Sequence, residues 1–298
     1  MEISIIIPVY NDPVGIETTL NALTSQIGVD DIMYEILVVD NNSSDNTPNI
    51  IQKYEEKYPE LVTFLTETEI QSSYAARNKG IEHSSGDFLA FIDADIWVDN
   101  YWVREAHDYL YETTADYVGC RVNLCTPSDS LGIVGKYNQL TGFPIEYYVQ
   151  DLNYAPTAAL LVKSTVINRV GGFDARLISG GDKVFGKIVA EAGFEQDYCE
   201  RLEVCHPTRN SARSMLNKAV RIGRGKTQIA NLYPNYADQG GILTLRNYLP
   251  PNPYMMKQRA NKRQTNNSIP FSFIYLFGVI YKYTRILGMW YEYLNQKI

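Results

Sequence analysis

Two carboxylates separated by a single residue, Asp93 and Asp95, directly follow the apolar run 88–92. That run is typical of a buried strand, so both side chains lie where a strand ends and can turn toward one cation. Oxygen ligands suit Mg²⁺ or Mn²⁺, and such an ion would neutralise charge on a departing diphosphate as a Lewis acid. Because Asp-x-Asp is also common in solvated turns, the pair gains meaning only from the residues around it.

Other acidic residues repeat this placement. Asp12 follows the apolar run 3–9, and Asp40 follows the run 34–39. In open α/β sheets, ligands bind outside the carboxyl ends of the strands. The shared position of these carboxylates therefore predicts a single site at one edge of a sheet.

The elements that would position this site alternate along the chain up to about residue 205. Short apolar strands alternating with amphipathic helices predict an α/β domain, with a mostly parallel central sheet flanked by helices. Strands are predicted at 3–9, 34–39, 62–65, 88–92, 116–124, 158–163 and 201–205, and helices at 16–27, 47–54, 75–83, 163–170 and 183–192.

The chain has 298 residues and a net charge of −7, which conceals two oppositely charged parts. Residues 1–205 hold 13 Lys and Arg against 32 Asp and Glu, a net charge of −19, whereas residues 206–298 hold 14 against 2, a net charge of +12. An acidic part followed by a basic part suggests two roles. The basic part could face phosphates, an anionic membrane or nucleic acid, or the two parts could simply attract each other.

The basic part is predicted to be largely helical. A basic amphipathic helix is predicted at 209–226, and the Pro-, Asn- and Gln-rich segment 249–268 is typical of a linker or loose loop. Lys282 and Arg285 interrupt the aromatic segment 269–294, and a spanning helix needs about 20 apolar residues. We therefore expect an interfacial or packed amphipathic helix there.

The four cysteines are too few and too irregularly spaced to predict a disulfide framework. They are Cys120, Cys125, Cys199 and Cys205. We expect reduced thiols in a cytosolic protein, and the spacing of Cys199, Cys205 and His206 matches no standard zinc site. Residues 1–4 lead directly into a strand, so no signal peptide is predicted.

Four separated blocks of the sequence resemble the family-2 glycosyltransferases of the GT-A fold. The blocks are Ser4–Asn11, Ile36–Asp45, Ala76–Gly80 and Gly86–Asp95, and the likeness continues at Gly171–Asp174, Gly180–Asp182 and His206-Pro207. The resemblance implies a GT-A catalytic domain at 1–208, with a nucleotide-binding part at about 1–97 and an acceptor part at about 98–208. A basic and aromatic helical C-terminal region would follow at 209–298.

The resemblance also implies roles for individual residues. The loop after the first strand would hold the base of a nucleotide, Asp40 would accept hydrogen bonds from the base or ribose, and Arg77 and Lys79 would lie near the diphosphate. The implied nucleotide-binding residues are Pro8, Tyr10, Asn11, Asp12, Asp40, Arg77, Lys79, Asp93 and Ala94, and the implied ligands of Mn²⁺ or Mg²⁺ are Asp93, Asp95 and His206.

A carboxylate later in the chain is implied to remove the proton of the acceptor hydroxyl, and Asp182 matches its position. Such a general base must reach that proton and have a pKa suited to the task. The family pattern has Glu-Asp here, whereas this chain has Gly181-Asp182, which leaves the electrostatic setting of the base open. Asp174 is a second candidate, for which a structural role in a turn is the favoured interpretation.

We expect an inverting transferase that moves a sugar from a nucleotide-diphosphate sugar, with UDP favoured, to a hydroxyl of a glycan or lipid-linked acceptor. The chain lacks the Gln-x-x-Arg-Trp block and the long transmembrane helices of processive synthases, so we expect the addition of one or a few sugars. A cytoplasmic location is expected, with attachment of the basic part to an anionic inner membrane surface as a further expectation.

Two other interpretations stay open at this point. A nucleotidyltransferase that makes nucleotide-sugars would use a similar sheet and metal-binding carboxylates, but the Gly-rich basic loop typical of those enzymes is missing after the first strand. A catalytically degenerate, nucleotide-binding scaffold would fit the departure at Gly181. Nucleic-acid binding is not expected, since no recognition motif accompanies the basic residues.

Overall fold

A computed structural model of the chain describes residues 2–126, 131–237, 242, 244–263 and 269–296. The described residues confirm the predicted α/β class. The strands are β1 (Glu2–Val9), β2 (Met33–Asp40), β3 (Val62–Thr66), β4 (Phe88–Ile92), β5 (Trp97–Val98), β6 (Tyr117–Cys125), β7 (Ala159–Lys163) and β8 (Gln196–Pro207). The helices are α1 (Pro13–Thr24), α2 (Thr47–Lys57), α3 (Ser73–His83), α4 (Trp102–Glu112), α5 (Ile133–Thr141), α6 (Ile145–Leu152), α7 (Ser164–Val170), α8 (Gly181–Glu191), α9 (Ala212–Leu232), α10 (Pro253–Arg263) and α11 (Phe271–Asn295).

The first four strands form a parallel sheet around β1. β1 pairs with β2 on one side and β4 on the other, and β3 extends the sheet beyond β2. The neighbouring residues Ile5 and Ile6 of β1 point to opposite faces of the sheet and are both fully buried, as a strand covered on both faces requires. The register places Val9 opposite Asp40, so the loops after β1 and β2 leave the same edge of the sheet.

The other half of the sheet contains the antiparallel pairs. β7 lies antiparallel to both β4 and β6, and β5 pairs antiparallel with β8, in the strand order β3-β2-β1-β4-β7-β6-β8-β5. The sheet is therefore mixed. The sequence did not reveal which strands are antiparallel, because an apolar run predicts a buried strand without specifying its direction. Pairing of Trp97 with Cys205 brings the end of β8 close to the turn that follows β4.

The chain divides into two compact units. The first unit consists of Met1–Asn123, Phe143–Arg176 and Gly181–His206, and it contains nearly all of the sheet. The second unit consists of Leu124–Gly142, Leu177–Gly180 and Pro207–Ile298, and it is mainly helical. The predicted domain boundary after residue 208 stays a prediction.

Two long helices, α9 and α11, form the centre of the second unit. A Cβ atom at Gly223 would lie 2.0 Å from the Arg285 carbonyl oxygen, and one at Gly288 would lie 2.3 Å from the Val220 carbonyl oxygen. Glycine at both positions thus allows the two backbones to approach closely. A separate cluster of buried side chains joins α5, α9, α10 and α11. Its members are Tyr137, Met215, Ala260, Ile269, Ile274 and Phe277.

The predicted segment 269–294 is therefore a helix packed on α9. Arg224 of α9 donates to the buried carboxylate of Glu292 at 2.9 Å, which adds an ion pair to the glycine contacts. Within the ranges that the structure describes, no helix is both long and apolar enough to cross a membrane.

Some predictions for other segments are wrong. The linker predicted at 249–268 contains α10, and its residues 264–268 lie outside the described residues. The composition of the segment suggested a loop, but the Asn252 side chain accepts hydrogen bonds from the Tyr254 and Met255 N–H groups and caps α10. Asparagine at a cap followed by proline is a favoured helix start. Helices α4, α5 and α6 were not predicted.

The prediction of four reduced cysteines is also wrong. Cys125 and Cys205 are disulfide-bonded, whereas Cys120 and Cys199 are free and buried. β6 and β8 are neighbours in the sheet, and spacing along the chain does not reveal which strands become neighbours. The cysteines therefore do not support a cytosolic location.

Candidate active site

The loops that follow β1 and β2 are joined by hydrogen bonds. The Asn11 N–H donates to the Ser43 hydroxyl, and the Ser44 N–H donates to the Asn11 side-chain oxygen, both at 2.8 Å. Asn11 has a φ of +48°, which asparagine tolerates better than most residues. The loop is thereby held in one shape after the buried Pro8, with the ring of Tyr10 half-exposed beside it.

Asp12 has a structural role in the same loop. Its carboxylate caps α1 by accepting a hydrogen bond from the Gly15 N–H at 2.9 Å, and its own N–H donates to the Thr47 hydroxyl at 2.9 Å. A Cβ atom at Gly15 would lie 2.3 Å from this carboxylate, so the cap requires glycine there. The predicted contact of Asp12 with a nucleotide stays a prediction.

Asp40 ends β2 and is buried, with an exposed fraction of 3%. Its Oδ2 atom accepts a hydrogen bond from the Ser43 N–H at 3.0 Å. Its Oδ1 atom is buried and has no hydrogen-bond partner among the residues that the structure describes. An unsatisfied buried acceptor costs about 1–3 kcal/mol, so a ligand N–H or O–H that reached Oδ1 would be stabilised.

Helix α3 holds Arg77 against the turn that follows β4. The buried guanidinium donates through Nη2 to Asp93 Oδ1 at 2.6 Å and through Nη1 to the Ser73 carbonyl at 3.3 Å. Gly80 lets α3 approach β1 closely, since a Cβ atom there would lie 2.5 Å from the Ile6 side chain. A charge-assisted hydrogen bond in this desolvated position orients Asp93 strongly.

The Asp93-Ala94-Asp95 turn is also held from the side of α1. The buried Thr19 hydroxyl lies 2.8 Å from the Ala94 carbonyl oxygen and 2.5 Å from the Ile96 carbonyl oxygen. Ala94 is itself buried, so its backbone is used to shape the turn. Its predicted contact with the nucleotide stays a prediction.

Asp95 and His206 lie beside each other at the end of the sheet. Asp95 Oδ1 is 3.8 Å from His206 Nε2, and the Phe143 ring lies 5.7 Å from the buried imidazole. Two ligands of one Mg²⁺ ion, each at about 2.1 Å, can be at most about 4 Å apart, so this pair fits a shared cation. The described residues contain no group of three or more His, Cys, Asp or Glu side chains placed to hold a metal. Asp93 is engaged by Arg77, and its role as a ligand stays a prediction.

Tyr74, which was not predicted from sequence, connects this turn with the candidate base. The Arg77 guanidinium lies over the Tyr74 ring at 5.8 Å, and the Tyr74 hydroxyl accepts a hydrogen bond from the Gly181 N–H at 2.9 Å. A Cβ atom at position 181 would lie 2.8 Å from this ring, which gives a steric reason for the glycine. Asp182 follows in the first turn of α8, where its carboxylate accepts from the Lys183 N–H at 2.9 Å. The sequence could have indicated the contact between Tyr74 and Arg77, because the two residues lie one helical turn apart on the same face of α3.

The Gly171–Asp174 block is attached to the same helix, α3. The Asn78 side chain donates to the Phe173 carbonyl at 2.7 Å and accepts from the Phe173 N–H at 2.8 Å. The Phe173 ring also stacks on Tyr74, with ring centroids 5.9 Å apart. Helix α3 therefore supports both the Asp-x-Asp turn and the segment that leads to Asp182.

Two other candidates are placed differently. The Lys79 amino group lies 3.5 Å from Glu82, and residues two apart on a helix point in nearly opposite directions. The structure thus does not bring Lys79 to Arg77, and its predicted role near the diphosphate stays a prediction. Asp174 binds the Arg176 guanidinium at 2.8–2.9 Å, as the turn interpretation expects.

The fold is similar to that of solved GT-A glycosyltransferases. Mannosyltransferase PcManGT from Pyrobaculum calidifontis, solved in complex with GDP-Man and Mn²⁺, superimposes with a TM-score of 0.66 and 19% identity, over 98% of this chain and 87% of that chain. Staphylococcus aureus TarS 1–349, solved in complex with UDP-GlcNAc, superimposes with a TM-score of 0.57 and 17% identity, over 100% of this chain and 92% of that chain. The predicted GT-A fold is confirmed.

Sequence comparisons identify the family. Glycosyltransferase AglE of Haloferax volcanii is 37% identical over 227 residues, which cover 76% of this chain and 73% of AglE. Pre-mycofactocin glycosyltransferase of Mycobacterium tuberculosis is 23% identical over 242 residues, which cover 78% of this chain and 48% of that protein. Residues 4–161 match the family model of glycosyl transferase family 2. The chain therefore belongs to glycosyl transferase family 2 and is a glycosyltransferase, as its motifs predicted.

Proposed function

We propose that the protein is an inverting, metal-dependent and non-processive enzyme that moves a sugar from a nucleotide-diphosphate sugar to a hydroxyl of a glycan or lipid-linked acceptor. The observation that carries this proposal is the division of roles in the Asp-x-Asp turn. Arg77 holds Asp93 at 2.6 Å, whereas Asp95 lies 3.8 Å from His206 in a position suited to a cation. The two carboxylates thus have different partners. Asp93 would help to orient the donor, and Asp95 would bind the metal ion.

The nucleotide would bind at the ends of β1 and β2. The Asp40 Oδ1 atom, which is buried without a partner among the described residues, would accept a hydrogen bond from the base or ribose. The Tyr10 ring, which is 52% exposed, offers a face against which a base could stack. PcManGT is solved with GDP-Man and TarS with UDP-GlcNAc, so the fold accommodates either base. We favour UDP on the motif resemblance alone.

Asp95 and His206 would hold the Mn²⁺ or Mg²⁺ ion, and donor phosphate oxygens and water would complete its ligands. When bound, such an ion neutralises negative charge on the departing diphosphate. The complex of PcManGT contains Mn²⁺, which supports this assignment. The contribution of the protein is to hold Asp95 in the turn that Thr19 and Arg77 fix.

Asp182 would act as the general base. Its carboxylate would take the proton of the acceptor hydroxyl while the hydroxyl oxygen bonds to the anomeric carbon. The bond from that carbon to the diphosphate breaks on the opposite face, so the configuration inverts. Gly181 and Tyr74 position the start of α8 through the 2.9 Å hydrogen bond between them.

Neither alternative interpretation gains support from the site. Membership in glycosyl transferase family 2 favours sugar transfer over the synthesis of nucleotide-sugars. The glycine at 181 is explained by the Tyr74 ring, so it is no longer an argument for a degenerate scaffold.

A thermal-shift screen tests the donor site. UDP, GDP, dTDP, CDP and ADP are each added with Mn²⁺ and with EDTA to the wild type and to Asp95→Ala. At a concentration of about 100 Kd, a ligand that binds only the folded state stabilises it by about 2.7 kcal/mol. We expect one nucleoside diphosphate to raise Tm with Mn²⁺ only, and Asp95→Ala to lose this rise. Asp30→Ala, which removes an exposed carboxylate elsewhere, should keep it. A wild type that responds to no nucleotide would contradict the proposal.

We also propose peripheral attachment to an anionic membrane through α11. One side of α11 exposes apolar and aromatic side chains that are spaced three or four residues apart. These are Leu276, Ile280, Tyr283, Leu287, Tyr291 and Leu294. Residues 206–298 carry a net charge of +12, and each Lys or Arg near an anionic surface contributes about 1 kcal/mol. An apolar stripe in a basic region suits a helix that lies in the membrane interface.

Vesicle flotation tests this attachment. The protein should float with vesicles that contain phosphatidylserine and remain at the bottom with phosphatidylcholine alone, and added salt should release it. Leu287→Ser should weaken flotation, whereas Tyr111→Ser, at an exposed position of α4, should not. A wild type that stays at the bottom with anionic vesicles at low salt would refute the attachment. Location at the inner face of a membrane stays a prediction.

A further inference from the structure

A strongly basic pocket lies in the second unit, along the first turns of α9. Its volume is about 410 Å³, which is within the range of small-molecule sites. Four cationic side chains and two hydroxyls line it, and none of its lining residues is acidic. They are Arg209, Arg213, Lys218, Arg221, Ser211 and Ser214.

Two hydrogen bonds hold Arg209 in place at this pocket. The buried Asn138 side chain accepts a hydrogen bond from the Arg209 N–H at 2.8 Å, which anchors the segment that leads into α9. The Arg209 guanidinium also donates to the Ser214 hydroxyl at 3.2 Å. The Arg209 guanidinium thus lines the pocket from a backbone that is held in place. A cation on a solvated helix face lacks such an anchor.

Arg224 of α9 and the pocket arginines have different surroundings. Arg224 is neutralised by the buried carboxylate of Glu292, as described above. Arg209, Arg213 and Arg221 instead line one pocket whose lining contains no acidic residue, and like charges placed together favour the binding of an anion. Burial raises the pKa of the Tyr281 hydroxyl on α11. The positive charges of Arg209 and Arg221 act on the same hydroxyl and partly offset this rise.

We propose that this pocket binds a phosphate or diphosphate group of a substrate. Guanidinium groups match the oxygens of phosphate in geometry and charge, and serine hydroxyls add neutral donors. Two sources offer this chemistry in a transferase that follows the proposed function. One is the diphosphate of the donor, and the other is a phosphate carried by the acceptor. The inference depends on the proposed function only for the identity of the substrate.

Isothermal titration with inorganic pyrophosphate in EDTA tests the pocket without the metal site. Pyrophosphate should bind the wild type, and Arg213→Gln and Arg221→Gln should each weaken binding about tenfold, as the loss of one charge-assisted contact implies. Both side chains are exposed, so folding should be unaffected. Lys257→Gln removes one exposed charge from α10 in the same unit and should leave binding unchanged. Absent binding by the wild type, or an equal loss in Lys257→Gln, would overturn the proposal.

Competition distinguishes the two sources. If the pocket receives the donor diphosphate, saturating UDP or GDP with Mn²⁺ should displace pyrophosphate, and Arg213→Gln should weaken nucleotide binding as well. If it receives an acceptor phosphate, pyrophosphate should still bind the nucleotide-saturated enzyme. Asp95→Ala separates the two proposals, because it should lose metal-dependent nucleotide binding and retain pyrophosphate in EDTA. If Arg213→Gln binds both nucleotide and pyrophosphate as tightly as the wild type does, the pocket is not a phosphate site. The proposed transferase function would be unaffected by that result.

Discussion

The two units of the molecule use charge in different ways. In the first unit, the candidate site carboxylates stand at strand ends and are held one by one, as Asp93 is by Arg77 and Asp40 by the Ser43 N–H. In the second unit, cations are gathered on α9 and on the segment just before it, and four of them line one pocket. We therefore expect single substitutions at strand ends and at the start of α8 to abolish function, and substitutions on the helical unit to have graded effects.

The largest effect should come from the candidate base. Asp182→Asn keeps the size of the side chain and removes its ability to take a proton, so the transfer rate should fall by about 10²–10⁴-fold. Nucleoside diphosphate binding should persist in the thermal-shift assay, since the base does not contact the nucleotide in the proposed mechanism. Asp174→Asn is the matched control, because the Asp174 carboxylate holds Arg176 in a turn. The reverse result, an inactive Asp174→Asn and an active Asp182→Asn, would exchange the two assignments.

The next effect concerns the packing of the helical unit. Gly223→Ala places a Cβ atom 2.0 Å from the Arg285 carbonyl oxygen, a backbone atom that cannot rotate away. Overpacking of this kind costs about 1–3 kcal/mol or more, whereas alanine gains only about 1 kcal/mol over glycine in a helix. The free energy of unfolding in urea should therefore fall. Asn217→Ala on the exposed side of α9 should leave it nearly unchanged, and equal stability of both variants would argue against close contact between α9 and α11.

A smaller effect should reveal the link between Tyr74 and the base. Gly181→Ala brings a Cβ atom to 2.8 Å from the Tyr74 ring, which can shift more easily than backbone. We expect a loss of about 1–2 kcal/mol in stability, which should vanish when Tyr74 is also changed to alanine. A double-mutant cycle on the free energy of unfolding measures this coupling. Additive effects would mean that the Tyr74 ring is not the reason for glycine at 181.

The smallest effect is expected at Lys79. Its amino group is paired with Glu82 on the surface of α3, and exposed pairs of this kind contribute about 0–1 kcal/mol. Lys79→Ala should therefore leave both stability and the donor KM nearly unchanged. A large rise in the donor KM would instead support the motif-derived role of Lys79 at the diphosphate.

Most of the fold of the first unit could be predicted from the sequence. Buried parallel strands require continuous apolar runs, and β1, β2 and β4 were found within one residue of their ends for that reason. Strand direction could not be predicted for β6, β7 and β8, because apolar runs look alike in either direction. Helix α10 was missed because its cap, Asn252-Pro253, has the composition of a loop.

The sequence by itself determined the family, the α/β class and the carboxylates at the strand ends, since these depend on local order along the chain. Only the tertiary structure decided that Asp95 lies beside His206, that Tyr74 occupies the space at Gly181 and that Cys125 and Cys205 are disulfide-bonded. It also decided that the last helix packs on α9 through glycine while exposing an apolar stripe. These features depend on strand pairing and helix contact between residues distant in sequence, and no local pattern encodes such distances.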